Sequence, residues 1–520
     1  MTMRHDLFIF LFFPVLLCTV ISVPAQNDPL AGITPKALSA KMINNPAFTE
    51  NAKGENFCWH ARVGMDQYVE NFQLTGDTAW LDAGMAYYDF LISRLDTDPD
   101  GYRGWIGPYA YDKRYWQDAL VGDAILITGI LDFCVLVLEN DSLKTIYGSR
   151  ANAYVETAKK DFAEKWDKRG TWYEDGAYGA YTGFSKFLNP GNLREWIYDP
   201  ATNRAGVSHP FNKQLDAGQV YLRLYRITGS TVYRNRAERI FFTLKSHFQY
   251  FDDHYCWNYF DPLTPGDIDL EKKDTRHGVW VHPWRSAYQA GEVEKIAEAY
   301  HYGIVFSEQD IQRIINTNLK VMWNKDKVNP KFINSNGLGA DNDTTGIAAF
   351  KRAYGHSTAS KNAGELWTGL LDFNQTIRDL YELRFREGKH RAERLRYENT
   401  VLKNPPGFKR KYAKGKVSLP EMNFTESKEL YLATVLPHTI TKKEKSVIVC
   451  KSWAPGTLQV DLYSLTGKKI TNLYTGKIGE ETFMIQWDGK DPMGKVNYTG
   501  DYKIRWTTGS GYREFPVTIL

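Results

Sequence analysis

Paired cysteines are missing from this sequence. Cys18, Cys58, Cys134, Cys256 and Cys450 are widely scattered and no CxxC occurs, which excludes the usual zinc-site spacings. One disulfide stays open as an option in an oxidising compartment, with the pairing undetermined. A charge excess is also missing. The 65 basic and 61 acidic residues leave a net charge of +4, which argues against nucleic acid as the partner, since that demands a concentrated basic face. A local positive groove for an acidic ligand remains compatible with this balance. Long apolar runs are scarce. The one that stands out, "LFIFLFFPVLLCTVISV", follows Arg4 and His5 and precedes "VPAQN". It reads as a secretory signal peptide over residues 1–25, cut after Ala25, so the protein is expected to be secreted (periplasmic, cell-surface or extracellular). "VLLC" lacks the small residues of a lipidation site at Cys18. No other apolar run reads as a bilayer span, so no transmembrane segment is expected in the mature chain. A loose calcium-like "DNDTTG" at Asp341 lacks the glutamate that an EF-hand places downstream. Neither a metal nor a cofactor is expected.

What is present is length, aromatic rings and a repeating pattern. A chain of 520 residues predicts two or three domains. Aromatic residues, at 14%, are numerous enough to serve both as core and as stacking faces for a flat ligand. From about Asn56 to Leu383 the apolar residues recur at helical spacing. "YVENFQLTGDTAWLDAGM" at Tyr68 and "YLRLYRITGSTVYRNRAE" at Tyr221 share one design: tyrosine, an aromatic four residues on, Thr-Gly, a capping residue, and a second helix. Asp77 is the cap expected in the first. "YHYGIVFSEQDIQRIINTNL" is a looser copy, with Gly303 as a stop and Ser307 as a cap. Repetition of one αα-hairpin predicts a stacked or closed array. Segments rich in Gly, Pro, Asp, Trp and Tyr follow the hairpins and are too long for plain connectors. In a ring they would gather at one end and form a cleft.

The tail changes character. "REGKHRAERLRYENTVLKNPPGFKRKYAKGK" is basic and carries Pro405 and Pro406; residues 386–430 read as a linker. Residues 431–520 alternate, are rich in Val, Ile, Thr and Tyr, and predict a small β-sandwich. The Trp487-Asp-Gly-Lys-Asp run, Gly494 and Gly500-Asp501-Tyr502 resemble the Ig-like module of the flagellar-hook-cap type that ends many secreted bacterial proteins.

The helical part, residues 26–385, resembles the six-hairpin (α/α)-toroid group of carbohydrate-active proteins: glycoside hydrolases, uronate polysaccharide lyases and uronyl C5-epimerases. The Thr75-Gly76 and Thr228-Gly229 turns, "HPFNKQLDAGQVYLRLYRITG", "WNYFD" and "DTRHG" carry the resemblance. It implies a mainly α fold, an (α/α) toroid followed by the sandwich, and an enzyme acting on an acidic polysaccharide. A lyase must neutralise the uronate carboxylate, take the adjacent proton and protonate the leaving oxygen. The resemblance implies Asn with His or Arg for the first task and Tyr or His for proton transfer. The candidates are Asn212, Tyr259, His277 and Tyr354 as catalytic groups, with His209, Trp116, Trp257, Arg276, Arg352 and His356 binding substrate. Asp274 is read as an N-cap of a following helix. The alternative is a hydrolase using a carboxylate pair, drawn from Asp118, Glu174, Asp175, Asp261 and Glu365. A C5-epimerase shares the lyase's first step. A third reading is a non-catalytic glycan binder with aromatic platforms.

Overall fold

The computed structural model describes residues 33–44, 53–109, 112–202, 204–251, 253–277, 279, 288–332, 364–388, 390–413, 417, 419, 422, 424–426, 429–441, 444–452, 455–491, 493–494 and 498–520. An α-rich region comes first. It opens with α1 (Pro35–Ile43), α2 (Gly54–Arg62), α3 (Asp66–Thr75) and α4 (Ala79–Ser93). Then come α5 (Leu120–Leu138), α6 (Asp141–Ala158), a π-turn over Lys159–Glu164 and the short α7 (Lys165–Lys168). The hairpin α8 (Phe211–Thr228) and α9 (Thr231–Ser246) is followed by α10 (Tyr288–His301) and α11 (Glu308–Asn316). Gln375–Glu382 and Arg391–Thr400 are later helices.

The two Thr-Gly turns are built alike. Thr75 Oγ1 donates to the Asn71 carbonyl at 2.7 Å and accepts from the Asp77 N–H at 3.2 Å. Thr228 Oγ1 does the same with Leu224 (2.6 Å) and Ser230 (3.2 Å). Gly76 and Gly229 sit at φ 72° and 70°. A Cβ at either would meet no atom within 4 Å, so glycine is there for its left-handed backbone and not for space. The N-cap of α4 is Thr78, not Asp77, although Asp77, one residue earlier, still accepts from Ala79 N at 2.9 Å; Ser307 caps α11 in a reciprocal box with Asp310.

α5 is buried almost all round and packs against α2, α6 and α8. By length and composition it could cross a bilayer, contrary to the expectation that no such run follows the N-terminus. In the fold it is the central core helix, 89% buried over its most apolar window.

The long inter-hairpin segments are not open loops. Gly107–Pro108, Trp116–Gln117, Phe187–Asn189 and Asn192–Ile197 form a four-stranded sheet. Trp172–Asp175 pairs with Tyr178–Tyr181. Asp274 does not cap a helix: Asp274–Thr275 pairs as a strand with Ile268–Asp269 and residues 276–277 are not helical, while Trp280 lies outside the described residues.

The C-terminal part has two sheets. Leu430–Leu436, Ser446–Ser452 and Phe483–Trp487 form one. Thr439–Ile440, Gly511–Ile519, Gly500–Thr508, Gly456–Ser464 and Lys469–Ile478 form the other, in that order. Val435, Ile448 and Cys450 of the first share a core with Leu462, Ile504 and Trp506 of the second. At the seam with the helices, the buried His438 ring lies 3.6 Å from Tyr178 and 5.0 Å from Phe515. The basic stretch between the two parts lies along the helices. Arg410 donates to the Tyr300 and Phe306 carbonyls, and Lys411 pairs with Asp372.

Candidate functional site

A cleft of about 240 Å³ opens where α2, the strand before α5, the start of α8 and the inter-hairpin segments meet. Glu55, Gln117, Asp118, Phe184, Arg204, His209, Lys213, Tyr259, Phe260 and His277 are among its lining residues. One buried side chain, Asp267, gathers three of the contributing segments. Its Oδ1 accepts from Ser208 N, beside His209, at 2.7 Å. Its Oδ2 accepts from Leu263 N and Thr264 N, just after Tyr259 and Phe260, at 2.8 and 2.9 Å. Its carbonyl accepts from Arg276 N, beside His277, at 2.7 Å. Gly266 lies so close to Gly206 that a Cβ on it would stand 2.2 Å from the Gly206 carbonyl oxygen. The segment Tyr255–His277 thus folds back on the Arg204–Pro210 loop and presents Tyr259 and His277 to one space.

The wall so built is cationic, and its imidazoles are neutral. Arg204 Nη1 stands 3.4 Å from His277 Nδ1. Because guanidinium can only donate, that nitrogen is the acceptor and Nε2 carries the hydrogen. Burial, then the charges of Arg204 and Arg276, push His277 down to about 4. Burial, then Lys213 and His277, push His209 down to about 3. Tyr259 stacks on Tyr288, with ring centroids 5.1 Å apart, and its carbonyl accepts from Phe211 N at the start of α8. Lys213 reaches Glu55 at 3.0 Å.

The opposite wall rests on a buried ionic network. Lys165 Nζ lies 2.6 Å from both Asp118 and Asp123, and Arg169 bonds Asp118 at 2.8 Å and also Asp98 and Asp100. The Arg169 guanidinium is held between Phe184 and Trp166, 4.8 and 4.9 Å from their ring centres. Against the penalty of burial, Lys165 and then Arg169 hold Asp118 below its ordinary value. Burial, then the charge of Asp118, pushes Asp98 and Asp123 up to about 8.

Of the residues singled out from the sequence, His209, Tyr259 and His277 line the cleft together. Asn212, one residue into α8, does not: it is buried, and its Oδ1 has no hydrogen-bond partner among the described residues. Trp257 is a core residue whose indole donates to Glu292 at 2.6 Å. Trp116 does not line the cleft; it is half-buried with the Lys53 ammonium 5.0 Å over its ring. Arg276 points away from the lining, donating to the Gly266 carbonyl, and acts on His277 only through its charge. Arg352, Tyr354 and His356 lie outside the described residues, as does the "DNDTTG" run. Arg204, Lys213, Glu55 and Gln117 escaped the sequence reading. Arg204 had one signal, its place in a glycine-containing loop five residues before His209. Lys213 stands beside Asn212 in the "HPFNKQ" run; Glu55 and Gln117 had none. Among the described residues no group of three or more His, Cys, Asp or Glu could hold a metal ion.

No family model matches the chain, and no curated protein matches it. Among solved structures, a Pseudomonas fluorescens alkylpurine DNA glycosylase, AlkC, bound to DNA containing an abasic site analog, aligns over 93% of this chain and 96% of its own. The two are 10% identical with a TM-score of 0.14, a likeness too slight to bear on fold or activity.

Proposed function

We propose that the protein is a secreted polysaccharide lyase that cleaves uronic-acid-containing glycans by β-elimination in this cleft. The observation that carries the reading is the meeting of Tyr259, His277 and His209 with Arg204 and Lys213 in one cavity. Arg204 neutralises the uronate carboxylate, which acidifies the neighbouring C5 proton. A neutral imidazole can accept that proton, and both histidines are neutral at pH 7; at His277 the proton goes to Nδ1, whose lone pair is freed as Arg204 turns from it to the carboxylate. Burial is the first cause of the lowered His277 value and the Arg204 charge the second; a carboxylate bound beside Arg204 offsets the second and makes the imidazole a better base. The Tyr259 hydroxyl donates to the leaving glycosidic oxygen.

The helical region is read as an (α/α) toroid. α2, α5, α8 and α10 pack side by side in chain order. The late helix Arg391–Thr400 returns to α3, where Arg396 meets Glu70 at 3.0 Å and Asn71 at 3.3 Å.

The carboxylates offered for hydrolysis are engaged elsewhere. Asp118 is locked by Lys165 and Arg169. Asp175 accepts from the His438 and Thr439 N–H groups at the seam. Asp261 binds His247 and Asn258, and Glu174 pairs with Arg239. Glu365 is exposed and outside the cleft lining.

A screen of acidic polysaccharides for the ultraviolet absorbance of an unsaturated uronate tests the proposal. New reducing ends without that chromophore would replace elimination by hydrolysis. Solvent deuterium entering at C5 without chain cleavage would indicate epimerisation. Binding without any turnover would leave a glycan receptor.

A further inference from the structure

The sandwich is fastened to both segments that bring chemistry to the cleft. On the Tyr259 side, Asn258 Nδ2 donates to Asp261 at 2.7 Å and to the Tyr431 carbonyl of the first sandwich strand at 3.1 Å. Gln249 Nε2 donates to the same carbonyl at 2.8 Å. On the His277 side, Asp274 Oδ1 accepts from Thr482 Oγ1 at 2.5 Å and pairs with Lys451 Nζ at 3.2 Å. Two residues beyond His277, Val279 is buried among Tyr431, Leu432, Val447 and Val449 of the three-stranded sheet. His277 is therefore gripped on both flanks by the sandwich, and Tyr259 directly follows Asn258, which is tied to the Tyr431 carbonyl.

Resting on the elimination reading, we infer that the C-terminal sandwich is the positioning element of the cleft, with Lys451 and Thr482 as positioning residues for His277 and Tyr431 as the backbone anchor for the Tyr259 segment. A module that merely tethered the enzyme would need no side-chain bonds to these segments. A misplacement of about 1 Å in a reacting group can lower a rate about a hundredfold, so such anchoring has a kinetic consequence.

The test uses the full chain carrying Lys451→Met, Thr482→Val, Lys451→Asp, and Lys451→Asp combined with Asp274→Lys. Three quantities are read: backbone hydrogen exchange over Asp274–His277, the pH dependence of His277 carbethoxylation by mass spectrometry, and kcat and KM on the best acidic glycan. The single variants should exchange about tenfold faster over Asp274–His277, shift the His277 titration upward towards the ordinary value, and lower kcat more than KM rises. The charge swap should restore all three. Unchanged exchange and an unchanged His277 titration in every single variant would overturn the inference, as would faster exchange with kcat intact. If wild type turns over no glycan while exchange and the His277 titration respond and are rescued, the functional reading falls and the positioning of His277 by the sandwich stands.

Discussion

The two walls of the cleft use the same kinds of residue in opposite ways. On one, Lys165 and Arg169 are surrounded by Asp98, Asp100, Asp118 and Asp123, so each cation is answered within the protein. On the other, Arg204, Lys213 and Arg276 bear on His209 and His277, and the imidazoles stay neutral beside them. The cations of the first wall are bound up in the fold; on the second, Lys213 pairs with Glu55 while it and Arg204 line the cavity beside the imidazoles. That difference separates Asp118, a carboxylate at the cleft bound by two cations, from His277, an imidazole at the cleft with cationic neighbours.

Removing a cation from the first wall is the most damaging way to test the contrast. Lys165→Met should destabilise the protein by about 3–5 kcal/mol, since Asp118 and Asp123 would be left buried against less positive charge. Denaturant unfolding measures this, and adding Asp123→Asn should recover part of the loss. Unchanged stability would mean that the network is ornamental to the fold. The matching change on the second wall, Tyr259→Phe, should lower kcat on the responsive glycan by about 10²–10⁴-fold and leave the unfolding midpoint nearly unmoved. A large drop in stability with it would place Tyr259 in the core class instead.

Asp267→Ala stands between the two. It strips three N–H donors, those of Ser208, Leu263 and Thr264, of their buried acceptor. We expect a loss of about 1–3 kcal/mol in stability, seen in thermal unfolding, together with reduced turnover, because the His209, Tyr259 and His277 segments lose their common tie.

Much of the helical pairing was legible because its signals are local. A Thr-Gly pair writes its own turn through one hydroxyl and one left-handed glycine, and both copies adopt the same geometry. His209, Tyr259 and His277 were legible as chemistry in unusual loops. Trp257 and Asn212 looked the same in sequence, and only burial separates them from the cleft. Arg204 and Lys213 were illegible because their relevance depends on Asp267 and on the Gly206–Gly266 approach, contacts between segments some 60 residues apart. The sandwich was legible as strands. Its grip on Asp274 and Asn258 was not, since those bonds join positions separated by 208 and 173 residues.

The smallest expected effect is the opposite pH response of the two walls. Asp98 and Asp123, raised to about 8, are acids whose folded pKa exceeds the unfolded value of about 3.9. The stabilisation they give is full below that unfolded value and is lost as pH rises through about 8. His209 and His277, lowered to about 3 and 4, are bases whose folded pKa lies below the unfolded value of about 6.5. Their stabilisation is present above that value and is lost as pH falls towards 4. Between about pH 4 and 6.5 the two terms oppose each other, so the melting temperature of the wild type should vary little there. Asp123→Asn removes one term and should make stability rise more steeply with pH. His277→Gln removes the other and should make it fall more steeply with pH. Thermal unfolding of the three proteins across this range checks both slopes, and slopes of the same sign in the two variants would show that the walls do not differ in the way their charges are answered.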